Sequence, residues 1–303
     1  MTGKIREQLE EILTTENIFY EEPMAQHTSF RIGGPADAFV TPESPEEICR
    51  ILAVCRETGT PFFILGNGSN LLVSDRGYRG VVIQIGRKMS SVTIEGERIR
   101  AGAGALLSGI AASARNASLT GMEFAGGIPG SLGGAVVMNA GAYGGEMKDI
   151  LEEVKVITPE GEEKILPAGE LALGYRTSII KEKGYIVTEA SLKLMQGDLE
   201  EIRCTMRDLQ QRRSDKQPLE FPSAGSTFKR PEGYFAGKLI SDAGLRGYQV
   251  GGARVSDKHC GFVINAGGAS AADVRKLMSD VQAEVYRQFG VKLEPEVKFL
   301  GEF

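Results

Sequence analysis

Two glycine-rich segments are the first places in this chain where residue type and spacing could do chemistry. Gly126-Gly127-Ile128-Pro129-Gly130-Ser131-Leu132-Gly133-Gly134-Ala135 offers several backbone N–H donors with few side chains in the way. Successive N–H groups in such a loop form an anion-binding nest, for which a diphosphate is a natural occupant. Gly66-Asn67-Gly68-Ser69-Asn70 offers a similar cradle behind a strand-like run. The alternative is a set of tight turns that packs strands closely, since glycine serves both uses. Composition leaves the two open.

The familiar nucleotide signatures do not account for these loops. Gly102-Ala103-Gly104-Ala105-Leu106-Leu107 and Gly66-Asn67-Gly68-Ser69-Asn70-Leu71 both begin like a dinucleotide fingerprint and end in leucine where glycine or alanine is needed. Gly233–Lys238 lacks the spacing of a P-loop, and Leu239 stands where Ser or Thr should follow the lysine. A Rossmann or P-loop site is disfavoured.

Composition narrows the class. The chain has 303 residues and 39 glycines, well above the typical share of ~7%. Nine of these glycines lie between Gly121 and Gly145 and seven between Gly244 and Gly268, without the triplet period of collagen. Hydrophobic residues make up 42% and charged residues 25%, the balance of a globular protein. A net charge of −5 argues against general nucleic-acid binding. No apolar run reaches the ~18 residues of a membrane helix, and the amphipathic N-terminus has no signal-peptide core. Cys49, Cys55, Cys204 and Cys260 are scattered, which reads as reduced thiols in a cytoplasmic protein. With only His27 and His259 available, no metal site is expected.

The elements that must carry the loops follow from periodicity. Residues 3–14 read as an amphipathic helix. Strands are expected at 37–41, 62–65 (of the buried type) and 80–85, with a helix from Pro45 capped by Ser44 and facing inward with Ile48, Ile51, Leu52 and Cys55. Further on come a hairpin around Gly96, a helix over 106–117, a second hairpin turning at 159–161 and a long strand over 185–194. Asp198 N-caps a charged helix that turns Leu199, Ile202, Met206 and Leu209 inward, and a polar loop is expected over 214–222. The last part carries a helix over 235–243, short strands within 248–255 and 261–265, and a helix over 271–289 with a Ser270–Asp273 capping box. Its apolar stripe is Val274, Leu277, Met278, Val281, Val285 and Phe289, and a terminal strand follows at 296–300. The chain therefore reads as α+β in three parts: 1–90, 91–200 and 201–303.

Several short motifs in a fixed order make the reading specific. They are Thr28-Ser29-Phe30-Arg31-Ile32-Gly33-Gly34, Leu65–Asn70, Gly127–Ser131, Asn139–Gly144, Gly174-Tyr175-Arg176-Thr177-Ser178, Ser223–Lys229, Gly237-Lys238-Leu239-Ile240 and Leu293-Glu294-Pro295-Glu296-Val297. Over nearly its whole length the chain resembles the UDP-N-acetylenolpyruvoylglucosamine reductases, flavoproteins of the vanillyl-alcohol oxidase (PCMH) fold. The resemblance implies two FAD-binding subdomains at 1–90 and 91–200. It also implies an α+β substrate domain at 201–303 that carries a C-terminal catalytic glutamate.

It implies a chemistry as well. NADPH reduces non-covalently held FAD, and flavin N5 passes hydride to the enolpyruvyl double bond of UDP-N-acetylglucosamine enolpyruvate. A side chain then protonates the adjacent carbon to give UDP-N-acetylmuramate for peptidoglycan. Carried over residue by residue, Arg176 steadies the enolate, Ser226 donates the proton and Glu296 polarises the intermediate. Gly66, Asn67, Gly68, Ser69, Asn70, Gly127, Ile128, Pro129, Gly130, Ser131, Gly134, Asn139 and Ala142 match cofactor positions. Lys216, Lys229, His259 and Asn265 match substrate positions, whereas Arg230 stands where the family commonly has Asn. The family's long insertion after Gly-Tyr-Arg is missing, so the chain resembles the shorter type without a tyrosine lid. Two other readings remain compatible with the motifs: another FAD oxidoreductase of the same fold, and a non-catalytic nucleotide-sugar binding module.

Overall fold

A computed structural model describes residues 3–303. The chain divides into two compact units. The first comprises 1–20, 38–67 and 80–212, and the second 21–37, 68–79 and 213–303. Two short N-terminal segments thus cluster with the C-terminal third, which a linear division into 1–90, 91–200 and 201–303 does not express. The reason is packing: Phe30, Ile32 and Leu72 bury their side chains in one core with Ala224, Phe228 and the helix Ala271–Phe289.

In the first unit, Phe62–Leu65 runs parallel to 81–84, in a sheet that continues through 38–40 to 18–20. The helix Pro45–Glu57 has the expected start. Ser44 accepts from Glu47 N–H at 3.2 Å, Pro45 takes the first helical position, and Ile48, Ile51, Leu52 and Cys55 are buried. A second, antiparallel sheet has the order Glu163–Pro167, Leu151–Ile157, Ile186–Lys193, Arg98–Gly102, Val92–Glu95. Both hairpins are therefore present. The helices Leu107–Asn116 and Leu132–Val137 bury Leu107, Ile110, Leu132 and Val136 in the same core.

Some expectations shift. Phe62 is 40% exposed although its strand reads as buried, because Phe62–Leu65 is the edge of its sheet. The first helix ends at Glu10 and not at residue 14. The charged helix runs Leu199–Lys216, past the expected loop start. Gln217 N–H still bonds Arg213, and Pro218 then stops the helix. Only Ile202 of its stripe is buried, while Leu199, Met206 and Leu209 are half-exposed.

In the second unit, Gln249–Val250, Ala253–Val255 and Val263–Asn265 form an antiparallel sheet. Leu71–Val73 pairs in parallel with Lys298–Leu300. The expected strand at 296–300 thus begins two residues later, because Glu296 is already paired elsewhere, with Thr227. The helix Ala271–Phe289 has the predicted capping box. Asp75 adds a second cap, accepting from the N–H groups of Ala271 and Ala272 at 2.7 and 2.9 Å. Val274, Leu277, Met278, Val281 and Val285 are buried, but Phe289 at the frayed end is 38% exposed.

Candidate active site

The first unit holds a cavity of about 560 Å³, within the usual size range of small-molecule sites. It lies between the end of the parallel strand pair (Gly66, Asn67, Gln84, Gly86, Arg87) and the helix Leu107–Asn116 with its approach (Gly104, Ala105, Gly109, Ser113). Ser131, at the N-cap of Leu132–Val137, closes it.

Local chemistry builds this wall. A side chain on Gly104 would place Cβ 1.9 Å from the carbonyl oxygen of Gly86, and one on Gly66 would place it 2.4 Å from Ser131 Oγ. Glycine is therefore required at 104 for the two backbones to meet, and at 66 it leaves room for the Ser131 hydroxyl. Asn67 Nδ2 donates to Pro129 O at 2.7 Å, which ties the two glycine-rich loops together. Leu107 N–H donates to Gly130 O and Leu132 N–H to Ala105 O, holding the Pro129–Ser131 turn against the helix. The lining contains Arg87 and neither Asp nor Glu. Such a wall suits an anionic, phosphate-bearing ligand.

The expected cofactor residues divide on these grounds. Gly66, Asn67 and Ser131 line the cavity. Pro129 and Gly130 form the turn behind them, and Gly127, Ile128 and Gly134 flank that turn. Gly68 belongs to the second unit, where its φ of +62° and a Cβ position 2.0 Å from His27 O make glycine necessary for packing against the 27–29 segment. Ser69 follows in the same unit, and Asn70 Nδ2 donates to Glu296 O at 3.3 Å.

Asn139 stands at an expected cofactor position. It is buried, and its amide is spent inside the chain: Nδ2 donates to Glu146 Oε2 and Gly174 O, and Oδ1 accepts from Lys148 N–H. Ala142 sits in a tight hairpin, opposite Gly145 and next to Tyr143 (φ +54°) and Gly144 (φ +94°). Sequence reasoning missed Gln84, Gly86, Arg87, Gly104 and Ser113. The glycine pair at 102 and 104 is the sequence signal for this wall, although it does not complete a dinucleotide fingerprint.

Arg176 lies in the first unit at φ +58°, in the turn closed by the Gly174 and Thr177 hydrogen bonds of 3.2 and 3.3 Å. A non-glycine residue in the left-handed region is held there by its surroundings. Only the short helix Ile179–Lys183 separates this turn from the strand Ile186–Lys193, with no insertion between.

The other two expected catalytic residues lie in the second unit, and the fold brings their segments together. Glu296 N–H donates to Thr227 O and Lys229 N–H to Glu294 O, around an antiparallel bridge between Phe228 and Pro295. Ser226 is exposed beside this bridge, and Glu296 is buried. Thr227 Oγ1 accepts from Val263 N–H at 2.9 Å, fixing the serine segment to the small sheet.

The expected substrate residues are in the same unit. Lys229 Nζ pairs with Glu294 at 2.8 Å. Lys216 ends the helix Leu199–Lys216, and its charge and that of Arg246 reach His259. Burial, more than these charges, pushes the His259 imidazole below its ordinary value. Its Nδ1 accepts from Gly261 N–H at 3.0 Å, so the neutral ring carries its proton on Nε2. Asn265, at an expected substrate position, also bonds within the chain: Nδ2 donates to Phe30 O, and Oδ1 accepts from Gly267 and Ala269 N–H. Arg230 stacks on the Phe235 ring at 4.0 Å. Arg31, within the Thr28–Gly34 motif, is exposed at φ +55° in a loop tied by Ser29 Oγ to Ser223 O at 2.6 Å.

Residues 36–166 match the model of an FAD binding domain, and residues 217–300 match the C-terminal domain of UDP-N-acetylenolpyruvoylglucosamine reductase. The cavity lies inside the first match. The reductase of that name from Agathobacter rectalis is 55% identical over 298 residues, covering 94% of this chain and 95% of the relative. The chain belongs to the UDP-N-acetylenolpyruvoylglucosamine reductase family. Its Lachnoclostridium phytofermentans relative is 54% identical over 100% of this chain and 99% of its own. The crystal structure of the Thermus caldophilus reductase superposes with a TM-score of 0.81 at 38% identity, covering 92% of this chain and 97% of the other.

The reductase-family assignment bears out the expected fold, an FAD-binding domain of this type followed by a smaller α+β domain, and the shorter chain type. The cavity wall fits an FAD diphosphate, since glycines 66 and 104 leave room where any side chain would intrude and no carboxylate opposes the charge. Among the described residues, no group of three His, Cys, Asp or Glu side chains could hold a metal ion, and no helix is long and apolar enough to cross a membrane.

Proposed function

We propose that this chain is a cytoplasmic oxidoreductase that uses NADPH and non-covalently bound FAD to reduce UDP-N-acetylglucosamine enolpyruvate to UDP-N-acetylmuramate. The observation that carries the reading is the presence in one chain of an acid-free glycine-walled cavity in residues 36–166 and of the Phe228–Pro295 bridge in residues 217–300, which bonds Glu296 to Thr227, the neighbour of Ser226. Bound FAD supplies the hydride transfer that the protein's own side chains cannot perform.

The chain's part is to hold and protonate. Gly66, Asn67 and Ser131 present the cavity wall to the cofactor diphosphate, and Arg87 adds a positive charge. Arg176 offers a fixed fork to the substrate carboxylate, where negative charge grows as hydride arrives at the neighbouring carbon. Ser226 Oγ gives its proton to the carbanion carbon. The serine hydroxyl is a weak acid, so the buried Glu296, whose backbone bonds the next residue, Thr227, acts on the same intermediate and completes the acid function. Lys216 and Lys229 meet the UDP diphosphate, and His259, neutral with its proton on Nε2, is a hydrogen-bond donor to substrate and not an acid or base. By this reading the segments 1–90 and 91–200 serve the cofactor and 201–303 the UDP-sugar.

The test is product formation. Purified protein supplied with NADPH and the enolpyruvyl sugar should consume the two in equal amounts and yield UDP-N-acetylmuramate. NADPH consumption that does not depend on the sugar, or a protein without flavin that still binds the sugar, would overturn the reading in favour of another flavin oxidase or a binding module.

A further inference from the structure

The side chains around Arg176 show how the fold holds its guanidinium. Gly174 O accepts twice, from Thr177 N–H at 3.3 Å and from Asn139 Nδ2 at 3.2 Å. On the far side of the turn, Ser178 is fully buried and donates from Oγ to Val137 O at 2.7 Å. Both flanks of Tyr175-Arg176 are thus pinned at the C-terminal end of one helix, Leu132–Val137: Ser178 to its last residue, Val137, and Gly174 to Asn139, two residues further on. The other end of that helix begins at Ser131, in the cavity wall. A six-residue rod therefore fixes the distance from the cavity to the arginine turn.

Asn139 is itself fixed from the opposite side. The hairpin pairs Gly141 with Glu146, which brings the Glu146 carboxylate to 2.6 Å from Asn139 Nδ2, while Lys148 N–H donates to Oδ1 at 2.9 Å. The amide cannot flip without placing its oxygen against a carboxylate, so its donor stays aimed at Gly174 O. Asn139 also accepts φ +42°, a conformation that suits asparagine better than most residues.

We propose that Asn139 is a positioning residue for Arg176, oriented by Glu146, and not a cofactor ligand. The proposal rests on Arg176 acting on the substrate carboxylate. Loss of the Asn139 amide frees one flank of a strained turn, and the guanidinium fork then loses its fixed aim.

A four-protein comparison tests this: the parent, Asn139→Gly, Arg176→Ala and the double variant. Glycine tolerates φ +42°, so Asn139→Gly removes the amide without adding strain. In Asn139→Gly, flavin content and the rate of bleaching by NADPH are expected to stay within about twofold of the parent. Recovery of colour with the enolpyruvyl sugar should slow about tenfold, and the double variant should be no slower than Arg176→Ala alone. Binding of UDP-N-acetylmuramate to the oxidised protein, read by calorimetry, should weaken in Asn139→Gly and not weaken further in the double variant.

Parent-like recovery in Asn139→Gly, or additive slowing in the double variant, overturns the positioning role. Parent-like recovery in Arg176→Ala would instead remove the catalytic reading of Arg176 itself. Asn139→Asp combined with Glu146→Gln, which avoids setting two carboxylates together, keeps the acceptor for Lys148 N–H, loses the donor to Gly174 and tolerates the same φ. It is put through the same comparison if the glycine variant does not fold.

Discussion

The N–H of Glu296 donates to the carbonyl of Thr227 at 2.9 Å, so a glutamate near the C-terminus and the Ser226–Thr227 segment, about seventy residues apart in sequence, lie on adjacent backbones. The two share one function in the proposed reaction, supplying a proton to a carbon that has just gained hydride. The bridge between Phe228 and Pro295 holds the two segments together. In the proposed reaction a fixed pairing of this kind serves electrostatic preorganisation.

Replacing Ser226 with alanine should separate the two half-reactions. Bleaching of the flavin by NADPH needs no proton from this serine and is expected to stay near the parent rate. Recovery with the enolpyruvyl sugar is expected to fall by about 10²–10⁴, the usual weight of a general acid. Stopped-flow absorbance reads both. If the two rates fell together, the serine would not be the donor.

Gly104→Ala is expected to strike cofactor retention and stability at once. The new Cβ would meet the Gly86 carbonyl at 1.9 Å, and backbone on both sides cannot yield as a flexible side chain does. Forced backbone shifts of this kind cost about 1–3 kcal/mol. Flavin content after gel filtration and the thermal midpoint should both drop. A variant that keeps full flavin and the parent midpoint would show that the cavity wall is softer than its geometry.

His259 sets a pH dependence with a definite sign. Its folded-state pKa is lowered, first by burial and then by the charges of Arg246 and Lys216. Below its ordinary value near 6.5 the unfolded chain binds a proton that the folded one resists, so this residue makes stability fall as pH drops from 6.5 towards the lowered value and adds no penalty above that window. Urea midpoints at pH 7 and pH 5, compared between the parent and His259→Gln, check this. The parent should lose more stability than the variant over that interval. Equal losses would mean that the imidazole is free to protonate in the fold.

Much of this molecule is legible in its sequence because the signals are local. Ser44-Pro45 and the Ser270–Asp273 box mark helix starts, and the stripe from Val274 to Val285 marks a buried face. The glycines at 66 and 126–134 divide by physical cause: Gly66 and Ser131 meet at the cavity, while Gly127 and Gly134 shape the turn around them.

The rest depends on long-range packing that no spacing encodes. Gly68 is glycine because His27 O approaches it, Asp75 caps a helix about two hundred residues away, and Gly104 needs a partner at Gly86. The side-chain amides of Asn139 and Asn265 look like ligand groups in a motif, and the fold also uses them within the chain, Asn139 on Gly174 O and Glu146 and Asn265 on Phe30 O. A sequence shows which residues carry hydrogen-bonding groups but not where those bonds go.

The most direct measurement is an anaerobic visible spectrum of the purified protein taken in two steps. NADPH should bleach the flavin band, and UDP-N-acetylglucosamine enolpyruvate, added after excess NADPH is removed, should restore it in equal amount without oxygen. A band that stays bleached with the sugar and returns only on admitting air would contradict the account.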